Sequence, residues 1–86
     1  MSKKLRGGKF VTKKEYEDVM DVYPGLNRKL TNVSIINLGI DEIHVIVNDG
    51  DELPLEPGET LSLGNLVIDK LVVKEKDATV KYLGVE

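Results

Sequence analysis

From Thr31 onward the chain is a succession of short runs rich in Val and Ile, broken by turn residues every several positions. Helical periodicity is absent there, and the pattern predicts short antiparallel strands. They fall at 32–37, 43–47, 51–55, 60–63, 66–75 and 79–85, with breaks at 38–42, 48–50, 57–58, 64–65 and 76–78. Before Thr31 the pattern differs. Tyr16, Val19, Met20 and Tyr23 fall at i, i+3, i+4 and i+7, one apolar stripe of a helix. Thr12 and Glu15 have the spacing of a capping box, and Pro24 with Gly25 ends the helix near Val22. A helix of about ten residues is marginal alone and must pack on something. Residues 24–30 read as the linker. The chain is thus expected to divide into 1–30, a basic N-terminal arm with a short helix, and 31–86, a β domain. The fold class expected is mainly β, a small antiparallel sandwich or barrel of six short strands.

Hydrophobic alternation also sets a register. If Asn48, Asp49 and Gly50 form a three-residue loop, Val47 faces Asp51, Val45 faces Leu53 and Ile43 faces Leu55. The apolar members then share one face, while His44, Ile46, Glu52, Pro54 and Glu56 share the other. A two-residue loop at Asp49–Gly50 would slip the register by one and mix the faces, which costs a strand its buried side. In this reading Gly50 closes the loop with a positive φ. The next turn is "EPGE": Pro57 presets the second position, and Gly58 tolerates the positive φ of the third in a type II turn. Gly50, Pro57 and Gly58 are therefore the predicted structural turn residues.

The net charge of −3 conceals an asymmetry. Lys3, Lys4, Arg6, Lys9, Lys13 and Lys14 are the only charges in the first 14 residues, and all 15 acidic groups follow them. A basic arm on an acidic body points to docking on an acidic surface or to a solvated terminus. Nucleic acid is disfavoured, because the acidic body repels phosphate and only Phe10 in the arm could stack on a base. There is no Cys, hence no disulfide framework and no thiolate zinc site. The basic start lacks the apolar run of a signal peptide, and no run approaches the roughly 20 residues that span a bilayer. The expectation is a protein made in the cytoplasm, with no membrane partner.

No motif in the sequence supplies catalytic chemistry. His44 is the single histidine, and one ring makes neither a triad nor a metal site. Adjacent acids such as Asp41/Glu42 and Asp51/Glu52 point to opposite faces of a strand and cannot act as an acid–base pair on one substrate. Gly7–Gly8 and Gly64 lack phosphate-loop spacing. The acidic stretch 49–59 fails as a calcium loop: counted from Asp49, the fifth position is Leu53, the sixth Pro54 and the twelfth Thr60. The expectation is a non-enzyme with no cofactor, no metal and no small-molecule substrate.

Read as a phrase, residues 32–86 run "NVSIINLGIDEIHVIVNDGDELPLEPGETLSLGNLVIDKLVVKEKDATVKYLGVE". The cadence is a strand ending in "NLG", a hairpin running into "LEPGETLSL", then "LVIDKLVVKEKDATVKYLGV". It resembles small virion proteins of tailed bacteriophages, of the head-decoration or head-fibre type. The matching residues are structural punctuation: Asn37, Gly39, Asn48, Gly50, Pro57, Gly58, Glu59, Ala78, Val80, Tyr82, Gly84 and Val85. The resemblance implies a structural protein of the virion, a capsid accessory bound in many copies to the major capsid protein or another virion protein, and a homo-oligomer. Set beside the basic arm, it makes Lys3, Lys4, Leu5, Arg6, Lys9 and Phe10 the candidate docking residues. The alternative is a small β binding module, a tail or adhesion component recognising a sugar or host protein. With no Trp and four other aromatics, three of them before residue 31, the chain lacks the aromatic platform of a sugar site.

Overall fold

Alternation along the C-terminal strand organises the molecule. Val80, Tyr82 and Gly84 are buried, while Thr79, Lys81, Leu83 and Val85 are half-exposed. The computed structural model describes residues 3–22 and 30–86. Its elements are β1 (Leu5–Val11), β2 (Glu17–Asp18), α1 (Val19–Val22), β3 (Thr31–Asn37), β4 (Ile43–Val47), β5 (Leu53–Leu55), β6 (Thr60–Ser62), β7 (Leu71–Val73) and β8 (Thr79–Val85). They form two four-stranded sheets, sheet A in the order β1-β8-β3-β6 and sheet B in the order β2-β7-β4-β5. Every pairing is antiparallel. Val33, Ile35 and Val80 of sheet A meet Val45, Leu71 and Val73 of sheet B, all fully buried. The expected β-sandwich is the observed fold.

The β4–β5 register is the one that alternation selects: Ile43 pairs Leu55, His44 pairs Pro54 and Val45 pairs Leu53. The turn that sets it differs from expectation. Asn48 (φ 51°) and Asp49 (φ 60°) take the left-handed conformation, and Gly50 does not. The Gly50 N–H donates to the Val47 carbonyl at 3.0 Å. Two successive left-handed residues closed by that bond make a type I′ turn, whose twist suits a hairpin. Asn48 tolerates the cost because its side chain is engaged. Its Oδ1 accepts from the N–H groups of Asp69 (2.7 Å) and Lys70 (3.0 Å), and its Nδ2 donates to the Val67 carbonyl (2.9 Å). The same bonds hold residues 67–70 as a loop, so the predicted strand 66–75 shrinks to Leu71–Val73. Lys70 reaches Asp49 at 3.0 Å, and that hydrogen bond and charge raise its pKa above the ordinary lysine value. The "EPGE" turn is as expected, with Gly58 at φ 80° and the Glu59 N–H donating to the Glu56 carbonyl at 2.9 Å.

Two expectations for the N-terminal third are overturned. The first ten residues are not a free arm. β1 pairs β8 over seven residues, from Leu5–Val85 to Val11–Thr79. Phe10 is only 4% exposed, its ring centroid 6.3 Å from that of Tyr82. Tyr82 also covers Gly8, where an added Cβ would sit 3.3 Å from its hydroxyl. An aromatic laid across a strand glycine restores the contact that the missing side chain gives up. The boundary drawn at residue 30 therefore cuts through sheet A.

The predicted helix from Thr12 is also replaced, leaving among the described residues only α1 at Val19–Val22. Its capping hydroxyl is engaged elsewhere: Thr12 Oγ1 donates to the Glu75 carbonyl (2.6 Å) and accepts from the Ala78 N–H (2.8 Å). Tyr16 turns left-handed (φ 50°) and its N–H donates to the Lys74 carbonyl at 2.9 Å. β2 then pairs β7. The expected stripe is split: Val19 and Met20 are core, Tyr16 is exposed, and Tyr23 lies outside the described residues. The predicted linker, Leu30 apart, lies outside them as well.

Candidate docking surface

Strand alternation gives sheet A an outer face. β1 contributes Leu5, Gly7, Lys9 and Val11, and β8 contributes Thr79, Lys81, Leu83 and Val85. The cross-strand pairs are Leu5–Val85, Gly7–Leu83, Lys9–Lys81 and Val11–Thr79. Ser34 and Ile36 of β3 continue the rows, followed by Ser62 and Thr60 of β6. Leu83 leans over Gly7 so closely that a Cβ there would lie 2.7 Å from its Cδ2. The result is an apolar patch of Leu5, Leu83 and Val85, with Leu5 71% exposed. Beside it stand two lysines directly opposite each other. Like charges in such a pair repel and destabilise the sheet slightly. Neither Lys9 nor Lys81 has a carboxylate partner among the described residues.

The sequence-predicted residues are distributed unevenly over this surface. Leu5 and Lys9 lie on it. Lys3 and Lys4 precede β1 and are exposed, with the Lys4 backbone paired to Glu86 at 2.9 and 3.3 Å. Arg6 points to the other face and donates to Glu86 Oε1 from Nε (3.1 Å) and Nη2 (2.9 Å). Phe10 is in the core and is removed from the docking set. Lys81, Leu83 and Val85 were missed. Alternation within 79–85 marks them as one face, but only the pairing of β8 with β1 joins them to Leu5 and Lys9.

The end of the sandwich where β3 leaves sheet A carries a cleft of about 420 Å³ between residues 37–43 and 75–79. Asn37, fully buried, builds it. Its Nδ2 donates to the carbonyls of Asp41 (2.8 Å) and Leu55 (2.9 Å), and its Oδ1 accepts from the Gly39 N–H (2.9 Å). His44 stands beside this cleft. Its Nδ1 lies 2.7 Å from Glu75 Oε2 and its Nε2 lies 3.5 Å from Glu42 Oε1, while its N–H donates to Glu75 Oε1 at 2.7 Å. Carboxylates thus bracket the ring on both sides, an arrangement that orients it structurally and offers no hydroxyl to activate. Among the described residues no three His, Cys, Asp or Glu side chains are grouped to hold a metal ion. No described helix is long and apolar enough to cross a membrane.

The class these features define is a small two-sheet antiparallel β-sandwich with a mixed apolar and basic outer face. No protein-family model matches the chain. No curated protein matches it in sequence. Among solved structures it is similar to protein NMB1881 from Neisseria meningitidis, with a TM-score of 0.61 and 8% identity, over 95% of this chain and 74% of that one. At that identity the likeness shows the fold.

Proposed function

We propose that this chain is a non-catalytic docking domain, a virion accessory protein that seats the outer face of sheet A on an acidic protein surface such as a phage head lattice. The observation that carries the reading is the apolar patch Leu5–Leu83–Val85 placed beside the Lys9–Lys81 couple, which has no carboxylate partner among the described residues. An apolar centre supplies affinity on burial, and flanking charges select an acidic partner and speed encounter. The two lysines repel each other in the free protein, and a facing carboxylate would relieve that. The resemblance of residues 32–86 to head-decoration proteins supplies the phage head as the partner to try first.

The test is co-sedimentation of the full chain with undecorated heads of the cognate phage. The expected result is saturable binding, weakened by raised salt. Leu83→Asp and the double variant Lys9→Glu/Lys81→Glu should each lose it while keeping β-rich circular dichroism and a cooperative melt. The Leu83→Asp melt should be lowered, because Leu83 covers Gly7. Binding unaffected by both variants would overturn the docking face, and no binding to heads or tails would overturn the virion reading.

A further inference from the structure

The cleft at the far end of the sandwich has no role in the docking face. Its rim is a loop held in shape by Asn37, yet that loop presents Ile40 at 91% exposure and Leu38 at 43%. Two apolar side chains held outward on a fixed loop beside a cavity offer an anchor for an apolar side chain of a partner. Its lining is acidic: Asp41, Glu42, Glu75 and Asp77 against Lys76. His44 engages Glu42 and Glu75, whereas Asp41 and Asp77 have no cationic partner among the described residues.

The opposite end of sheet A has the complementary character. Leu5 is 71% exposed and follows Lys3 and Lys4, both exposed. The Lys4–Glu86 and Arg6–Glu86 bonds hold this tip in place. Leu5 pairs with Val85, whereas the cleft borders Thr79 at the other end of β8. Those ends are about 20 Å apart at some 3.3 Å per residue. A chain held by a seven-residue ladder cannot bring its own tip to its own cleft.

We infer that the cleft receives the Lys3–Lys4–Leu5 tip of a second copy of this chain, so that copies associate head to tail. Leu5 packs against Leu38 and Ile40, and the two lysines face Asp41 and Asp77. Tip and cleft are different surfaces, so the contact is heterologous, and each added copy leaves one of each exposed for the next. Such a contact is small, and association is expected only at protein concentrations of roughly 0.1–1 mM in free solution.

Sedimentation equilibrium of the full chain tests this. Wild type should show mass rising with concentration beyond a dimer, and raised salt should suppress it. Leu5→Asp and Ile40→Asp should each be monomeric, with association weakened at least tenfold and β-rich circular dichroism unchanged, since both side chains are exposed. Mixed together, the two variants should form a 1:1 dimer and nothing larger, because one supplies an intact cleft and the other an intact tip. A monomeric wild type, a self-associating single variant, or no heterodimer on mixing would each overturn the inference. Ile40 is absent from the outer face of sheet A. Ile40→Asp that still binds phage heads while failing to self-associate therefore separates this contact from the docking reading.

Discussion

The β4–β5 hairpin and the N-terminal stretch of residues 3–22 are both built from strands, yet they fold for opposite reasons. In the hairpin every instruction is local. Alternating apolar residues face each other across a turn, and a slip of one would bury His44 in place of Val45. In the N-terminal stretch every instruction is distant. β1 exists because β8, some 70 residues later, offers it an edge, and β2 exists because β7 does the same. Taken alone, "LRGGKFV" has two glycines and two charges in seven residues and reads as a tether. Its strand character comes from Tyr82 covering Gly8, Leu83 covering Gly7 and Phe10 entering the core.

The largest expected effect comes from breaking that distant dependence. Deleting residues 1–10 removes Phe10 and uncovers the whole β8 edge. Loss of a buried Phe side chain alone costs about 3–5 kcal/mol, a large share of the 5–15 kcal/mol that holds a typical domain together. The truncated chain should lose its cooperative thermal transition by circular dichroism. A free arm would leave the melting curve intact, so retention of a native transition would show that β1 is dispensable.

A smaller effect sharpens the comparison at the junction of the two sheets. Thr12 links β1 to the turn between β7 and β8 through its hydroxyl, which both donates and accepts. Thr12→Val keeps the shape and leaves the Ala78 N–H and the Glu75 carbonyl without that partner. The expected loss is about 1–3 kcal/mol, read as a lowered urea midpoint with an unchanged slope. Thr12→Ser, which retains the hydroxyl, should recover most of it.

What was legible in the sequence follows the same division. The 43–47 strand, the hairpin register and the Gly58 turn were readable because each rests on neighbours within a dozen residues. The 79–85 strand was readable from its own alternation, although its partners β1 and β3 are distant, and the sandwich class from the succession of strand-length runs. The helix from Thr12 was misread because a capping-box spacing and an apolar stripe are local signals. The bonds that defeat them reach Glu75, Ala78 and Lys74. For the docking surface, Leu5 and Lys9 were found from charge and hydrophobicity. Lys81, Leu83 and Val85 were not, because the strand pairing that gathers them spans the chain.

The smallest effect concerns the hairpin turn itself, where register was foreseen and the strained residue was not. Alternation fixes which residues face each other, and the observed pairs leave residues 48–50 between the two arms, as expected. What differs is the dihedrals within that loop, and which residue carries the left-handed one. The structure places it on Asn48 and Asp49, with Gly50 outside that region. A β-branched residue at a left-handed position costs about 1–2 kcal/mol through its Cβ. Asp49→Val should therefore destabilise by about that amount, beyond the little that an exposed ion pair with Lys70 contributes. Gly50→Ala meets one neighbour, the Val47 carbonyl oxygen 3.1 Å from the added Cβ, which needs to shift by a few tenths of an ångström. Its expected cost is within about 0.5 kcal/mol, the range of ordinary surface substitutions. If thermal melts rank the two the other way, with Gly50→Ala the more damaging, then Gly50, and not Asn48 with Asp49, holds the positive φ of this loop.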